Sequence, residues 1–225
     1  WGQDGNYSPE AIANRINADL ANNLGNLAQR SLSMIYKNCD GKIPQPGPLT
    51  AEDKALLDAT DALYAIVREE MSKQAVTSYL DAVWGVISDA NRYFAAEEPW
   101  TKKKTDPKRM ETILYVTVEC VRQFAILAQP AMPGLTAKLL DGMVQTDRTF
   151  AALGPKHRIE PGTAIPEPQG VFPRYVDPAE EAAKSNANSA EAQLAAKAAK
   201  EAKRAAEREK SKAGNQKNAG KGDEA

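Results

Sequence analysis

Ile12, Ile16, Leu20, Leu24, Leu27, Met34 and Ile35 recur at intervals of three and four residues, the period of a helix that buries one stripe. Ser8 stands where an N-cap is needed, Pro9 takes the first helical position without losing a hydrogen bond, and Glu10 sits in the first turn. A first helix is therefore predicted from about Pro9 to about Lys37. Projected at about 100 degrees per residue, Asp19, Asn22, Asn23, Asn26, Arg30, Ser33 and Lys37 form a second, polar stripe beside the apolar one.

The segment CDGKIPQPGPLTAED reads as a loop, and Thr50 with Asp53 three residues later is a capping-box signature for the next helix. Leu56, Leu57, Leu63, Tyr64, Val67 and Met71 form its stripe, and a turn at Ser72 and Lys73 leads into a third helix. That helix carries Val76, Leu80, Val83, Trp84, Ile87, Tyr93 and Phe94 and stops at Pro99, with Trp84 expected in the core. Asp106 and Pro107 repeat the entry signal for a fourth helix to about Ala128, whose few polar interruptions mark it as the most buried. After Pro130 and Pro133, Leu135, Leu139, Leu140 and Met143 make a short fifth. No stretch alternates with period two, so the expected fold is all-α, an antiparallel bundle of about five helices spanning 1–155.

Prolines and glycines then forbid regular structure, and Ile165, Val171, Phe172 and Tyr175 are expected to anchor an extended strap, 156–177, on the bundle. Residues 178–225 are rich in Ala, Lys and Glu with no apolar stripe, which predicts a solvated helix fraying into disorder.

Charge narrows the function classes only a little. Twenty-nine basic residues balance thirty acidic ones, so neither a nucleic acid nor a membrane is recruited by net charge, and any electrostatic site is local. Cys39 and Cys120 lie in different segments without metal-ligand or disulfide-framework spacing, which fits a reducing, cytoplasmic setting. No run reaches the length of a membrane span, and no signal peptide is visible. Because the chain begins at Trp1 rather than methionine, it reads as a piece of a longer polypeptide.

The single histidine, His157, has no partner histidine for a metal and no neighbouring nucleophile, and no glycine-rich phosphate loop or Glu-x-x-His motif is present. No catalytic residue and no bound cofactor are therefore expected within these residues. Binding chemistry is better represented. EEPWTKKKTDPKR sets Trp100 beside Lys102, Lys103, Lys104, Lys108 and Arg109, a stacking platform with candidate phosphate contacts, or else a plug at the bundle's end with a solvated loop. Asn26 and Arg30, four apart, share a helix face, and their side chains are of the kinds that read base edges; an exposed edge with local pairing is the alternative. Gly25, which costs about 1 kcal/mol in a helix relative to Ala, implies close packing by a neighbouring helix or an RNA backbone.

INADLANNLGNLAQRSLSMI, ANRYFAAEEPW, FAILAQPAMPGLTAKLL and VFPRYV, in that order, resemble the C-terminal anticodon-binding domain of bacterial methionyl-tRNA synthetases over about residues 1–176. The resemblance implies that Asn26 and Arg30 contact the CAU anticodon and that Trp100 stacks on its first base. It further implies a parent methionine-tRNA ligase using ATP with magnesium, and a zinc-binding insertion, all in a catalytic portion outside these residues, so that this chain alone is inactive. The implied partners are initiator and elongator methionine tRNAs and the chain's own catalytic domain. The VFPRYV segment is expected to fold toward that domain, leaving Phe172 and Tyr175 loosely held here. In place of the dimerising OB-fold that many relatives append, the chain carries its Ala/Lys/Glu tail, so a monomer is expected. The competing expectation is a non-enzymatic helical scaffold that binds a protein through its polar edge and tail.

Overall fold

The computed structural model describes residues 8–178. The chain divides into two units, 1–175 and 176–225, and only 176–178 of the second are described. The tail and its lysines therefore lie outside the described residues.

Helix entry follows the capping chemistry of the sequence. Ser8 Oγ accepts the Ala11 N–H at 3.2 Å and starts α1, Pro9–Arg15. The chain does not break there: a π-helical stretch, Ile16–Gly25, runs on into α2, Asn26–Asn38, through right-handed backbone at Gly25. One rod thus occupies the span predicted for the first helix, widened in its middle. Side chains of a neighbouring helix add hydrogen bonds along this stretch. Trp84 donates its indole N–H to the Asp19 carbonyl at 3.0 Å, and Asn91 donates to the Asn23 side-chain oxygen at 2.6 Å and, at 3.4 Å, to its carbonyl. Trp84 is consequently half-buried rather than interior.

Thr50 and Asp53 close a reciprocal capping box at the start of α3, Ala51–Ser72. A turn through Lys73 and Gln74 leads to α4, Val76–Glu97. Beyond it the sequence predicts a connector, but the structure forms a further helix, α5, Pro99–Thr105. Glu98 turns the corner with φ at 43°, a left-handed conformation that costs a non-glycine residue about 1–2 kcal/mol. Pro99, buried at the first position of α5, fixes the new direction. Asp106 then caps α6, Pro107–Ala128, in which every residue from 112 to 128 is buried and which packs against α2, α3, α4, α5 and α7. The last helix, α7, is Pro133–Gly142. Among the described residues no strand forms; one isolated antiparallel bridge joins Lys42 to Ala164.

Residues 153–175 are fastened to the bundle at three places. A buried polar cluster on α6 holds the first: Arg122 pairs with Glu119 at 2.8 Å and donates to the Ala152 carbonyl, Gln123 accepts from the Gly154 N–H, and Glu119 accepts from the Ile159 N–H. At the second, backbone bonds join Ile43 to Thr163 and Ile165 to Gly41. The third lies on the first helical rod. Asn17 exchanges two hydrogen bonds with the backbone of Tyr175, Arg174 donates to Asn22, and Phe172 packs over Gly25. This corrects the expectation that Phe172 is loosely held: it is 8% exposed, although the Tyr175 ring does stand in solvent.

Candidate nucleic-acid interface

The corner between α4 and α5 sets the candidate site. Glu98 and Pro99 redirect the chain so that Trp100 falls in the first turn of a helix, with its indole 42% exposed. Beneath it lies Phe94 of α4, fully buried, its ring centroid 6.0 Å from that of Trp100 and inclined at 60°. Arg30 reaches both rings from α2, with Cζ 4.9 Å from the Trp100 centroid and 5.1 Å from that of Phe94. Two segments seventy residues apart therefore meet through a guanidinium and two aromatic faces. Arg30 has no carboxylate partner among the described residues, and its outward position leaves its donors to solvent. Asn26 is exposed one helical turn before Arg30, and its amide makes no hydrogen bond to a described residue.

The rest of the polar stripe is engaged. Asn22 and Asn17 hold the strap, and Asn23 donates to Ser88 and accepts from Asn91 on α4. Gly25 admits the strap, not another helix or a ligand: a Cβ built there would stand 2.8 Å from Phe172 Cβ. The polar edge thus has a structural half and a free half, divided at Gly25.

The basic residues divide in the same way. Arg109 is withdrawn from the phosphate-contact set, because its guanidinium forms a fork on Asp53 and also bonds Glu97, with 13% of its side chain exposed. Hydrogen bonds to Asp53 raise the Arg109 pKa, so the cation is permanent. Burial of Asp53 pushes its carboxyl upward, but bonds from Arg109, Tyr93 and the Thr50 backbone outweigh this and hold it below the ordinary value. Burial, and then the bond to Asp53, push the Tyr93 phenol up, so it stays protonated as a donor. Lys102 donates to the Glu97 carbonyl and lies 3.4 Å from its carboxylate, which ties it to the end of α4. Lys108 contacts Glu111 but is 87% exposed. Lys103 and Lys104 are exposed and have no acidic partner among the described residues.

Sequence reasoning did not assign Phe94, Asp53, Tyr93 or Glu97 to this site. Phe94 and Tyr93 carried only a core signal, and Asp53 only a capping signal; the role of each depends on what α5 and α6 bring against it. His157 lies in a short 3-10 turn, Pro155–His157. Among the described residues no three His, Cys, Asp or Glu side chains could hold a metal ion, and no helix is long and apolar enough to cross a membrane.

With this geometry in view, residues 43–205 match the family model for the anticodon binding domain of methionyl tRNA ligase. The match starts after the helix that carries Asn26 and Arg30. The chain is 59% identical over 180 residues to the methionine–tRNA ligase of Rhizobium meliloti, covering 79% of this chain and 35% of that protein. It is 51% identical over 184 residues to the Mycobacterium tuberculosis ligase, with the same shares covered. The free-state crystal structure of the M. tuberculosis synthetase superposes with a TM-score of 0.76, covering 79% of this chain and 36% of that one. A second structure of that enzyme, bound to methionyl-adenylate, gives 0.74, covering 76% and 35%. The chain spans about a third of the length of the curated relatives it matches.

Proposed function

Since the chain belongs to the methionyl-tRNA ligase anticodon-binding family, we propose that it recognises the CAU anticodon of methionine tRNAs and positions them for a catalytic portion that lies outside these residues. Asn26 and Arg30 supply amide and guanidinium donors to base edges, Trp100 supplies a stacking face for the first anticodon base, and Lys103, Lys104 and Lys108 contact backbone phosphates. The observation that supports this most directly is the meeting of an unpaired guanidinium with an exposed indole at 4.9 Å. Base-edge readout needs a fork of donors, and single-strand capture needs an aromatic plane; here both stand at one corner.

The same reading covers the parent protein: a methionine-tRNA ligase, in the cytoplasm, that consumes ATP with magnesium, has zinc in its catalytic portion, and charges both initiator and elongator tRNAs as a monomer. The relative whose structure holds methionyl-adenylate supports the ATP-dependent step. No step of that chemistry is routed through the residues described here.

The test is direct titration of the 225-residue chain with an anticodon stem-loop carrying CAU. A base stacked on an aromatic side chain is worth about 1–3 kcal/mol, so Trp100→Ala weakens binding by about ten- to a hundredfold. Unchanged affinity, with circular dichroism showing an intact bundle, overturns the reading.

A further inference from the structure

We propose that Arg30 and Trp100 form a self-stacked pair in the RNA-free protein, and that an entering base must lift Arg30 off the indole. The proposal rests on the anticodon-binding reading and adds to it the origin of its selectivity. Three observations carry it. Phe94 is buried and Arg30 is exposed, so of the two groups against the Trp100 ring the cation lies on the solvent side. Arg30 has no acid among the described residues to hold it elsewhere, so the rings are its resting place. Trp100 itself sits on a short helix whose corner is fixed by buried Pro99 and by the Arg109, Asp53 and Glu97 cluster, so the backbone that carries the ring is held against α4 and α6.

A base that only stacks competes with the guanidinium and gains little. One that also offers acceptors to Arg30 recovers what the cation loses on leaving the ring, so the pair discounts bases without those acceptors. An exposed cation–π contact shifts an equilibrium by about two- to fivefold, equivalent to about 0.5–1 kcal/mol. The apparent affinity for an unrelated loop falls by that factor, the reciprocal of the uncovered fraction.

The experiment compares Arg30→Ala with Lys103→Ala, which removes an exposed charge without uncovering the ring. Two stem-loops with a common stem are used, one with the anticodon CAU and one with AAA, because adenine stacks well but offers no adjacent pair of acceptors to a guanidinium. On the AAA loop, Arg30→Ala binds about two- to fivefold more tightly than Lys103→Ala, and the difference disappears when Trp100→Ala is present in both. On the CAU loop, Arg30→Ala is the weaker by at least tenfold. With 5-fluorotryptophan incorporated, the Trp100 resonance, assigned by its loss in Trp100→Phe, shifts in free Arg30→Ala. Equal or weaker AAA binding by Arg30→Ala, or an unmoved resonance, overturns the self-stacked pair while leaving anticodon binding intact. Loss of the effect of Trp100→Ala on the CAU loop overturns the anticodon reading itself.

Discussion

Gly25→Ala is the substitution whose sign depends most on the tertiary structure. In a helix interior the change ordinarily stabilises by about 1 kcal/mol, because alanine restricts the unfolded chain and favours the helix. At this position the new Cβ would stand 2.8 Å from Phe172 Cβ and 2.9 Å from the Leu20 carbonyl oxygen, closer than real Cβ atoms approach. Neither atom is the free end of a flexible side chain, so Phe172 and the strap must retreat. Exposing a buried phenylalanine forfeits about 1.5–3 kcal/mol, which leaves a net loss of about 0.5–2 kcal/mol. Gly85→Ala in α4 is the control: a Cβ there meets nothing within 4 Å, and the full gain of about 1 kcal/mol remains. Urea denaturation of the two variants should therefore diverge in opposite directions from the parent. At about 2–4 °C per kcal/mol for a domain of this size, thermal midpoints fall by roughly 1–8 °C for Gly25→Ala and rise by about 2–4 °C for Gly85→Ala. In a Phe172→Gly background Gly25→Ala becomes less destabilising, with the Leu20 contact remaining. If Gly25→Ala stabilises as much as Gly85→Ala, the strap does not seat on the first helical rod and the account of this glycine is wrong.

Other outcomes follow from the same structure. The Asp53 carboxyl is held below its ordinary value of about 3.8, so its pairing contributes fully above that value and is lost as pH falls through the lower, folded-state one. Asp53→Asn should cost about 1.5–3 kcal/mol at neutral pH by removing the charged acceptor of the Arg109 fork, with Glu97 still paired to that guanidinium, and urea midpoints measured from pH 2 to pH 7 should show a flatter acid limb than the parent. Burial pushes the Cys120 thiol up to about 12 and the Cys39 thiol up to about 11, so iodoacetamide at pH 8 should leave both unmodified by mass spectrometry until the chain is unfolded; rapid native labelling of Cys120 would contradict its burial. Lys103→Ala with Lys104→Ala should weaken all RNA loops alike and reduce the slope of log affinity against log salt by about 1.4, at about 0.7 per phosphate contact in single strands. An unchanged slope removes those two lysines from the interface.

Helix boundaries were legible in the residues because capping and proline chemistry act within one turn. Ser8, Thr50, Asp106 and Pro107 do locally what their types predict. Period likewise exposed the apolar stripes and the depth of α6. The polar stripe of the first rod was legible only as a stripe. Asn22, Asn23, Asn26 and Arg30 are indistinguishable by spacing, yet Asn22 meets Arg174, Asn23 meets α4, Asn26 meets solvent and Arg30 meets the Trp100 and Phe94 rings. Likewise nothing local separates Arg109, paired beneath the corner, from Lys103 and Lys104 above it.

The amino-acid sequence alone thus determined every helix but α5, their order and the residue types available for binding, because those depend on interactions a few residues apart. Which groups remain free was decided by contacts between segments up to about 150 residues apart: the strap covering Gly25, Phe94 supporting Trp100, and Asp53 capturing Arg109. A side chain's availability is what remains after its neighbours in space have taken their share of its donors, acceptors and surface, and the folded chain alone sets those neighbours.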